Sequence, residues 1–126
     1  MAIRYERDDA RRRILIAAGP DSTQEDVLGA IERQAAEGTW SYAVIYDARA
    51  SGRTPTPDQF RSVLLRVGEL TARCGPRGPV AFVATSKRMS RVGHTYASVG
   101  ELTALDVKVF TNIEDAERWL DACAAT

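Results

Sequence analysis

Five basic side chains and one serine fall in two short stretches of the chain, and together they could bind an anion. They are Arg49, Arg53, Ser86, Lys87, Arg88 and Arg91. Guanidinium, ammonium and hydroxyl groups are the donors with which proteins bind phosphate and carboxylate groups. We therefore predict a binding site for a small anion or for an acidic surface of a partner protein. The alternative is that these are ordinary solvated side chains of two loops.

A second stretch with chemical potential, SGRTPTPDQF, leads from a loop into a predicted helix. Ser51 and Thr56 are candidates for phosphorylation, because a phosphate at a helix start meets free backbone N–H groups and the positive end of the helix dipole. The alternative for Thr56 is structural. The residues TPDQ form a capping-box pattern in which Thr56 caps the helix, Pro57 takes the first position and Gln59 closes the box.

No constellation of residues predicts catalysis. Asp47, at the end of a predicted strand, could accept a phosphoryl group only beside further carboxylates that hold Mg²⁺. The place for them after the first parallel strand reads Ala17-Ala18-Gly19, so we predict that Asp47 is a loop or Asx-turn residue instead. His94 is the single histidine, which supports neither a catalytic triad nor a zinc site. The sequence therefore predicts no enzyme, no metal site and no cofactor.

Alternating strand and helix patterns must position these residues. AIRYER and RRILIA, joined by a short turn, predict an antiparallel edge hairpin. Three helix–strand pairs and a last helix follow it. The predicted strands are YAVIY (42–46), VAFVAT (80–85) and DVKVF (106–110), and the predicted helices begin near Ser22 or Thr23, Thr56, Ser90 (ending near Ala104) and Asn112. We therefore expect an α/β domain of order ββαβαβαβα, with a mixed five-stranded sheet, an N-terminal antiparallel edge hairpin and four helices.

This order brings the basic residues and the candidate phosphorylation sites to one edge of the sheet. Strand–helix–strand units imply parallel strands joined by right-handed crossovers. The carboxyl ends of such strands lie at the same edge, where open sheets bind their ligands. Residues 47–56 and 85–91 each follow a predicted parallel strand, so we expect the two stretches to meet there.

Length and composition fit one ordinary globular domain, residues 1–126, with 44% apolar and 27% charged residues. No apolar run approaches the roughly 20 residues of a membrane-spanning helix. The start MAIRYERDD has no apolar segment of the kind found in secretory signals. Cys74 and Cys123 fall at apolar positions of predicted helices, so we expect buried reduced thiols and a cytoplasmic protein.

The net charge is zero, but the charges are unevenly distributed. Residues 49–91 contain nine basic and only two acidic side chains. A zero net charge argues against a protein that binds nucleic acid. The basic middle segment instead favours an anionic ligand or an acidic partner.

The chain resembles the SpoIIAA-like, or STAS-like, family of small bacterial proteins. The likeness covers nearly the whole chain, through the edge hairpin, GPDSTQEDVLGAI, YAVIYDAR, TPDQF, GPRGPVAFVA and VKVFTNIEDAERWL. The resemblance implies the same fold, which is related to that of lipid-binding SEC14 domains. It also implies regulation, because family members that act as anti-sigma-factor antagonists bind a partner kinase and are switched by serine phosphorylation. That serine begins the helix after the strand corresponding to YAVIY, where this chain has Ser51 and Thr56.

From these patterns we predict a non-enzymatic interaction or regulatory module with a protein partner. Its active surface would be the carboxyl edge of the sheet with the second and third helices. The alternative is a domain that binds a small anionic ligand or a lipid at the same edge. Neither prediction involves nucleic acid or a membrane span, and a homodimer is compatible with both.

Overall fold

The sheet has five strands, which lie side by side in the order in which they occur along the chain. The fold is that of a computed structural model, which describes residues 2–103 and 105–125. The strands are β1 (Ile3–Asp8), β2 (Arg13–Ala18), β3 (Ala43–Asp47), β4 (Val80–Val83) and β5 (Val107–Phe110). β1 is antiparallel to β2, and all other neighbours are parallel. The predicted mixed sheet with an edge hairpin is confirmed.

Four helices complete the predicted order ββαβαβαβα, and the helices cover both faces of the sheet. They are α1 (Gln24–Ala36), α2 (Pro57–Cys74), α3 (Lys87–Thr103) and α4 (Ile113–Ala124). Right-handed crossovers between strands that advance in one direction place α1, α2 and α3 on the same face. α4 covers the other face, where its Ala116 and Leu120 pack against Ile45 and Val83. None of the described helices is long and apolar enough to cross a membrane.

Local hydrogen bonds fix where the helices begin. Thr56 caps α2 as predicted: its side chain accepts from the Gln59 N–H at 3.2 Å, and the Gln59 side chain accepts from the Thr56 N–H at 3.0 Å. The prediction for α3 was three residues late. The Ser86 hydroxyl oxygen accepts from the Met89 N–H at 3.1 Å, so the helix begins at Lys87. The predicted end at Ala104 lies outside the described residues.

The predicted burial of both cysteines was wrong for Cys74, which is exposed, whereas Cys123 is half-buried. Cys74 continues the apolar stripe of α2, but it is the last residue of an 18-residue helix. A helix of that length spans about 27 Å, whereas the four residues of β4 span only about 13 Å. The final turn of α2 therefore runs past the sheet that would have covered it.

The three helices on one face do not lie equally close to the sheet. The backbones of α1 and α3 approach strands directly, whereas α2 approaches only α1 among the described elements. Apolar side chains of α2, including Val63 and Val67, still point inward and are buried. A space is therefore left between α2 and the sheet.

Candidate functional site

A cavity of about 540 Å³ occupies the space between α2 and the sheet. Its floor includes Tyr46 of β3 and Phe82 of β4, and its roof includes Val63 and Val67 of α2. α1 and α3 form the side walls with mainly apolar side chains, such as Ile31, Val92 and Tyr96. The volume lies within the roughly 300–1,000 Å³ of typical small-molecule sites.

Contacts with α1, together with short side chains, hold α2 away from the sheet. The Arg66 guanidinium of α2 forms a two-point ion pair with the Glu32 carboxylate of α1, with Nη2 2.9 Å from Oε2. The Gln24 side-chain amide donates to the Gln59 carbonyl at 2.8 Å. Val63 and Val67 are too short to fill the gap beneath them, so the apolar face of α2 is covered without being closely packed.

Aromatic rings form a continuous wall of the cavity. Tyr46 stacks on Phe82 with ring centroids 5.3 Å apart, and Tyr96 lies 6.2 Å from Phe82. Rings on β3, β4 and α3 thus meet around one space, where their faces present a large apolar surface. Phe60 of α2 contacts Tyr96 from outside the cavity, at 4.3 Å, and lines the neighbouring groove between α2 and α3.

Two phenol groups are the polar features of this wall. The Tyr46 and Tyr96 hydroxyls have no hydrogen-bond partner among the residues that the structure describes. Burial raises the pKa of Tyr46 to about 12. Burial and the nearby Tyr46 raise the pKa of Tyr96, while the charge of Arg77 partly opposes the rise. Both hydroxyls are therefore neutral donors at physiological pH.

Arg77 brings a cation to the end of the cavity near the start of β4. Its Nη2 donates to Oε1 of Gln34 at 2.9 Å, and its guanidinium lies 4.8 Å from the centre of the Trp40 ring. The Nε atom is buried without a hydrogen-bond partner in the described part of the chain. Burial lowers the pKa of Arg77 to about 10, so the side chain stays cationic at neutral pH.

The glycine after Arg77 fixes this position. The Gly78 N–H donates to the Trp40 carbonyl at 3.1 Å. A Cβ atom on Gly78 would collide with the carbonyl oxygens of Ser41 and Tyr42. Only glycine allows the two backbones to approach so closely, and this approach holds Arg77 against Trp40.

The opposite end of the cavity lies at the carboxyl edge of the sheet, and we call it the mouth. It is bordered by residues 51–56 and by the first turn of α3, with Arg53 and Arg88 among its lining residues. A shallow groove outside the mouth runs between α2 and α3 and is lined by Arg61, Arg88 and Arg91. The structure therefore brings three of the predicted anion-binding residues, Arg53, Arg88 and Arg91, to the cavity and its groove.

The other predicted anion-binding residues are placed differently. Arg49 forms a two-point ion pair with Asp47, with Nε–Oδ1 and Nη2–Oδ2 distances of 2.9 Å each. The Arg49 N–H also donates to Asp47 Oδ1 at 3.1 Å, so that of the two predicted roles, loop or Asx turn, Asp47 has the Asx turn. Burial raises the pKa of Asp47, but these hydrogen bonds outweigh it and hold the pKa below its ordinary value. Ser86 caps α3, and Lys87 lines neither the cavity nor the groove.

The two candidate phosphorylation sites both lie at the mouth. The Thr56 hydroxyl oxygen is engaged as the cap of α2. The Ser51 hydroxyl donates to the Arg53 carbonyl at 3.1 Å, within the same loop. Each hydroxyl therefore has a local structural role, and Thr56 is also exposed.

Sequence reasoning missed the inner part of this site. Arg77 lies in GPRGP, which reads as a turn between a helix and a strand, and Tyr46 reads as one more apolar strand residue. Periodicity places Tyr96 on the buried face of α3 but does not indicate that its hydroxyl meets an open space. The one available signal was the arginine in GPRGP, which stands between two Gly-Pro pairs shortly before a buried strand.

Comparisons with protein-family models, with curated proteins and with solved structures found no match to this chain. The resemblance to the SpoIIAA-like family therefore stays a prediction from the sequence. Within residues 2–103 and 105–125, no group of three histidine, cysteine or acidic side chains is arranged to hold a metal ion. The cavity and its polar groups are the features of this chain that bear on function.

Proposed function

We propose that this domain is a binding module, not a catalyst, and that it takes an amphipathic, lipid-like small molecule into the cavity beneath α2. The observation that carries the proposal is the cavity of about 540 Å³ with aliphatic and aromatic walls. Protein interiors are normally close-packed, and side chains that line a void lose dispersion contacts. An apolar ligand would restore those contacts.

The position of the mouth supports this function. It lies where the parallel strands β3 and β4 end, which is the edge at which open α/β sheets bind ligands. Arg53 and Arg88 border it, and both side chains are exposed. Exposed cations at an opening attract anionic ligands from solution. An amphipathic molecule with an anionic group would therefore be drawn to the entrance of an apolar space.

The test uses N-phenyl-1-naphthylamine, a neutral apolar dye whose fluorescence rises in apolar surroundings. We expect the wild-type protein to bind the dye, and Val63→Trp, which fills the cavity from its roof, to weaken binding at least about tenfold. Leu65→Trp is the matched control on the same helix, because Leu65 is 62% exposed. Equal binding by wild type and Val63→Trp, or no binding by the wild type, would contradict the proposal.

The groove outside the mouth supports a second candidate, the interaction module. Arg61, Arg88 and Arg91 line it together with Phe60 and Leu64, and no acidic side chain is among its described lining residues. Such a surface suits an acidic partner segment with apolar residues. If the chain belongs to the SpoIIAA-like family and has the regulatory role that this implies, its partner would bind in this groove.

A model peptide separates this candidate from the first. We expect a peptide of alternating glutamate and leucine to shift NMR signals around the groove, and the double variant Arg88→Glu/Arg91→Glu to abolish the shifts. Dye binding in the cavity should persist in the double variant. Peptide shifts that are scattered over the surface, or that survive charge reversal, would reject the groove as an interaction site.

A further inference from the structure

We infer that the ligand of the cavity is an apolar carboxylic acid and that its carboxylate binds at the inner end, on Arg77 with the hydroxyl of Tyr96. The inference rests on the proposed function, because it specifies the ligand of the same cavity. It also sets the direction of binding. The charged group would enter first, and the apolar body would lie behind it towards the mouth.

Arg77 is a half-buried cation. Among the described residues no carboxylate pairs with it, and its only hydrogen bond goes to the neutral side chain of Gln34. Its Nε atom is buried without a partner among these residues, and an unpaired charge in apolar surroundings is unfavourable. A ligand carboxylate would supply the counter-charge, and a guanidinium binds a carboxylate with good geometry. The cation is therefore explained if the site is completed by an acid.

The Tyr96 hydroxyl also suits a carboxylate. Tyr96 packs against the apolar cluster that contains Trp40, Arg77 lies on the Trp40 ring, and both Tyr96 and Arg77 line the cavity. Burial raises the pKa of Tyr96, so the phenol keeps its proton and acts as a donor, and this donor is not used within the described part of the chain. One cation and one neutral donor match the single charge of a carboxylate better than the double charge of a phosphate.

The arginines at the mouth are the competing position for the charged group. Arg53 and Arg88 are exposed, and ion pairs of exposed groups contribute little in water. A hydrogen-bonded charge pair at the half-buried Arg77 is stronger, because the local dielectric constant is lower than at the exposed mouth. The mouth therefore suits the capture of an anion, and the inner end suits its retention.

The experiment compares two ligands of equal chain length, dodecanoate and dodecanol, by isothermal titration calorimetry. We expect the wild type to prefer dodecanoate by about ten- to hundredfold, the range of a hydrogen bond to a charged group. Arg77→Met should bind both ligands equally well. Arg88→Gln, at the competing position, should lower dodecanoate affinity only through slower capture and should keep most of the preference. An Arg77→Met variant that keeps the preference, or an Arg88→Gln variant that loses it completely, would place the carboxylate at the mouth and overturn the inference.

Arg77→Met should also fold, because methionine removes an uncompensated charge and retains an unbranched apolar chain. A measurement on the wild type makes the test independent of that variant. The ¹³C signal of carboxyl-labelled dodecanoate should report a bound carboxylate that stays ionised to lower pH than the free acid. A bound carboxylate that titrates like the free acid contradicts the inference.

Further outcomes separate this inference from the proposed function and identify the source of the carboxylate. If the dye binds while dodecanoate and dodecanol bind equally, the cavity is a ligand site and the inference fails alone. If neither the dye nor either alkyl ligand binds, both fail. The last ligand to be tested is the aromatic acid 2-naphthoate. If it binds more tightly than dodecanoate, the natural ligand is an aromatic acid, and if it binds more weakly, the natural ligand is a fatty acid.

Discussion

Thr56 performs a structural task that does not depend on any ligand. It exchanges two hydrogen bonds with Gln59 at the start of α2. We predict that Thr56→Ala lowers the free energy of unfolding by about 1 kcal/mol, measured by urea denaturation, and leaves dye binding unchanged. Thr56→Asp should retain the cap, because aspartate also caps helices well. Loss of ligand or peptide binding by a folded Thr56→Asp protein would contradict a purely structural role and support a phosphorylation switch.

The Tyr46 phenol makes the free energy of unfolding depend on pH in the alkaline range. Burial raises its pKa from the ordinary value of 10.0 to about 12. The folded-state pKa lies above the unfolded one, so the stabilising contribution is complete below pH 10 and is lost as pH rises towards 12. We predict that the free energy of unfolding falls in this window by up to about 1.4 kcal/mol per pH unit.

Tyr46→Phe is the control for this prediction, because it removes the ionisable group and keeps a ring at the position that stacks on Phe82. The variant should lose less stability than the wild type between pH 10 and 12 in chemical denaturation experiments. Identical pH profiles for the two proteins would show that the Tyr46 phenol is not held in apolar surroundings.

At the scale of elements, the apolar face of α2 is buried but is not packed closely against the sheet. Val67 lines the cavity, whereas Leu70, one turn further on, is buried outside it. We predict that Val67→Phe raises the free energy of unfolding by about 0.5–2 kcal/mol, as cavity-filling substitutions do. It should also weaken dye binding.

Leu70→Phe is the matched substitution in close-packed surroundings, where overpacking typically costs about 1–3 kcal/mol. The two variants introduce the same side chain on the same helix and should change stability in opposite directions. Thermal and urea denaturation of both proteins measure the difference. Destabilisation of similar size by both would mean that α2 lies closer to the sheet than the cavity requires.

At the scale of the whole molecule, positive charge gathers at one end although the net charge is zero. Arg53, Arg88 and Arg91 border the mouth and its groove, while Arg77 lies at the inner end. Exposed charges act through solvent and are screened by salt, whereas buried ones are screened much less. The rate at which an anionic ligand enters and the rate at which it leaves should therefore respond differently to ionic strength.

We predict that the association rate constant of dodecanoate falls as ionic strength rises from about 0.01 M to 1 M, over which the Debye length shortens from about 30 Å to about 3 Å. The dissociation rate constant should change little. Stopped-flow competition with the dye measures both rates. Arg53→Gln/Arg88→Gln should flatten the salt dependence of association, and an unchanged salt dependence in this double variant would show that the mouth does not steer the ligand.

Much of the architecture could be predicted from local patterns. Alternating apolar residues placed the edge hairpin, and the order of strands and helices predicted the parallel sheet, because the handedness of crossovers leaves few topologies. The capping box at Thr56 and the Asx turn at Asp47 were also predictable, since their hydrogen bonds join residues only two or three positions apart. The predictions of a later start for α3 and of a buried Cys74 were wrong, because apolar periodicity defines the buried face of a helix better than it defines where the helix begins and ends.

The sequence by itself therefore determined the elements, their order and the edge at which basic residues meet. Only the tertiary structure decided that α2 stands away from the sheet and that Arg77 ends at a cavity. The apolar stripe of α2 would be the same above a close-packed floor, because periodicity says which side of a helix is buried and not how far away the next layer lies. Arg77 acquires its surroundings from Gln34 and Trp40, some 40 positions earlier in the chain, and such contacts exist only once the chain has folded.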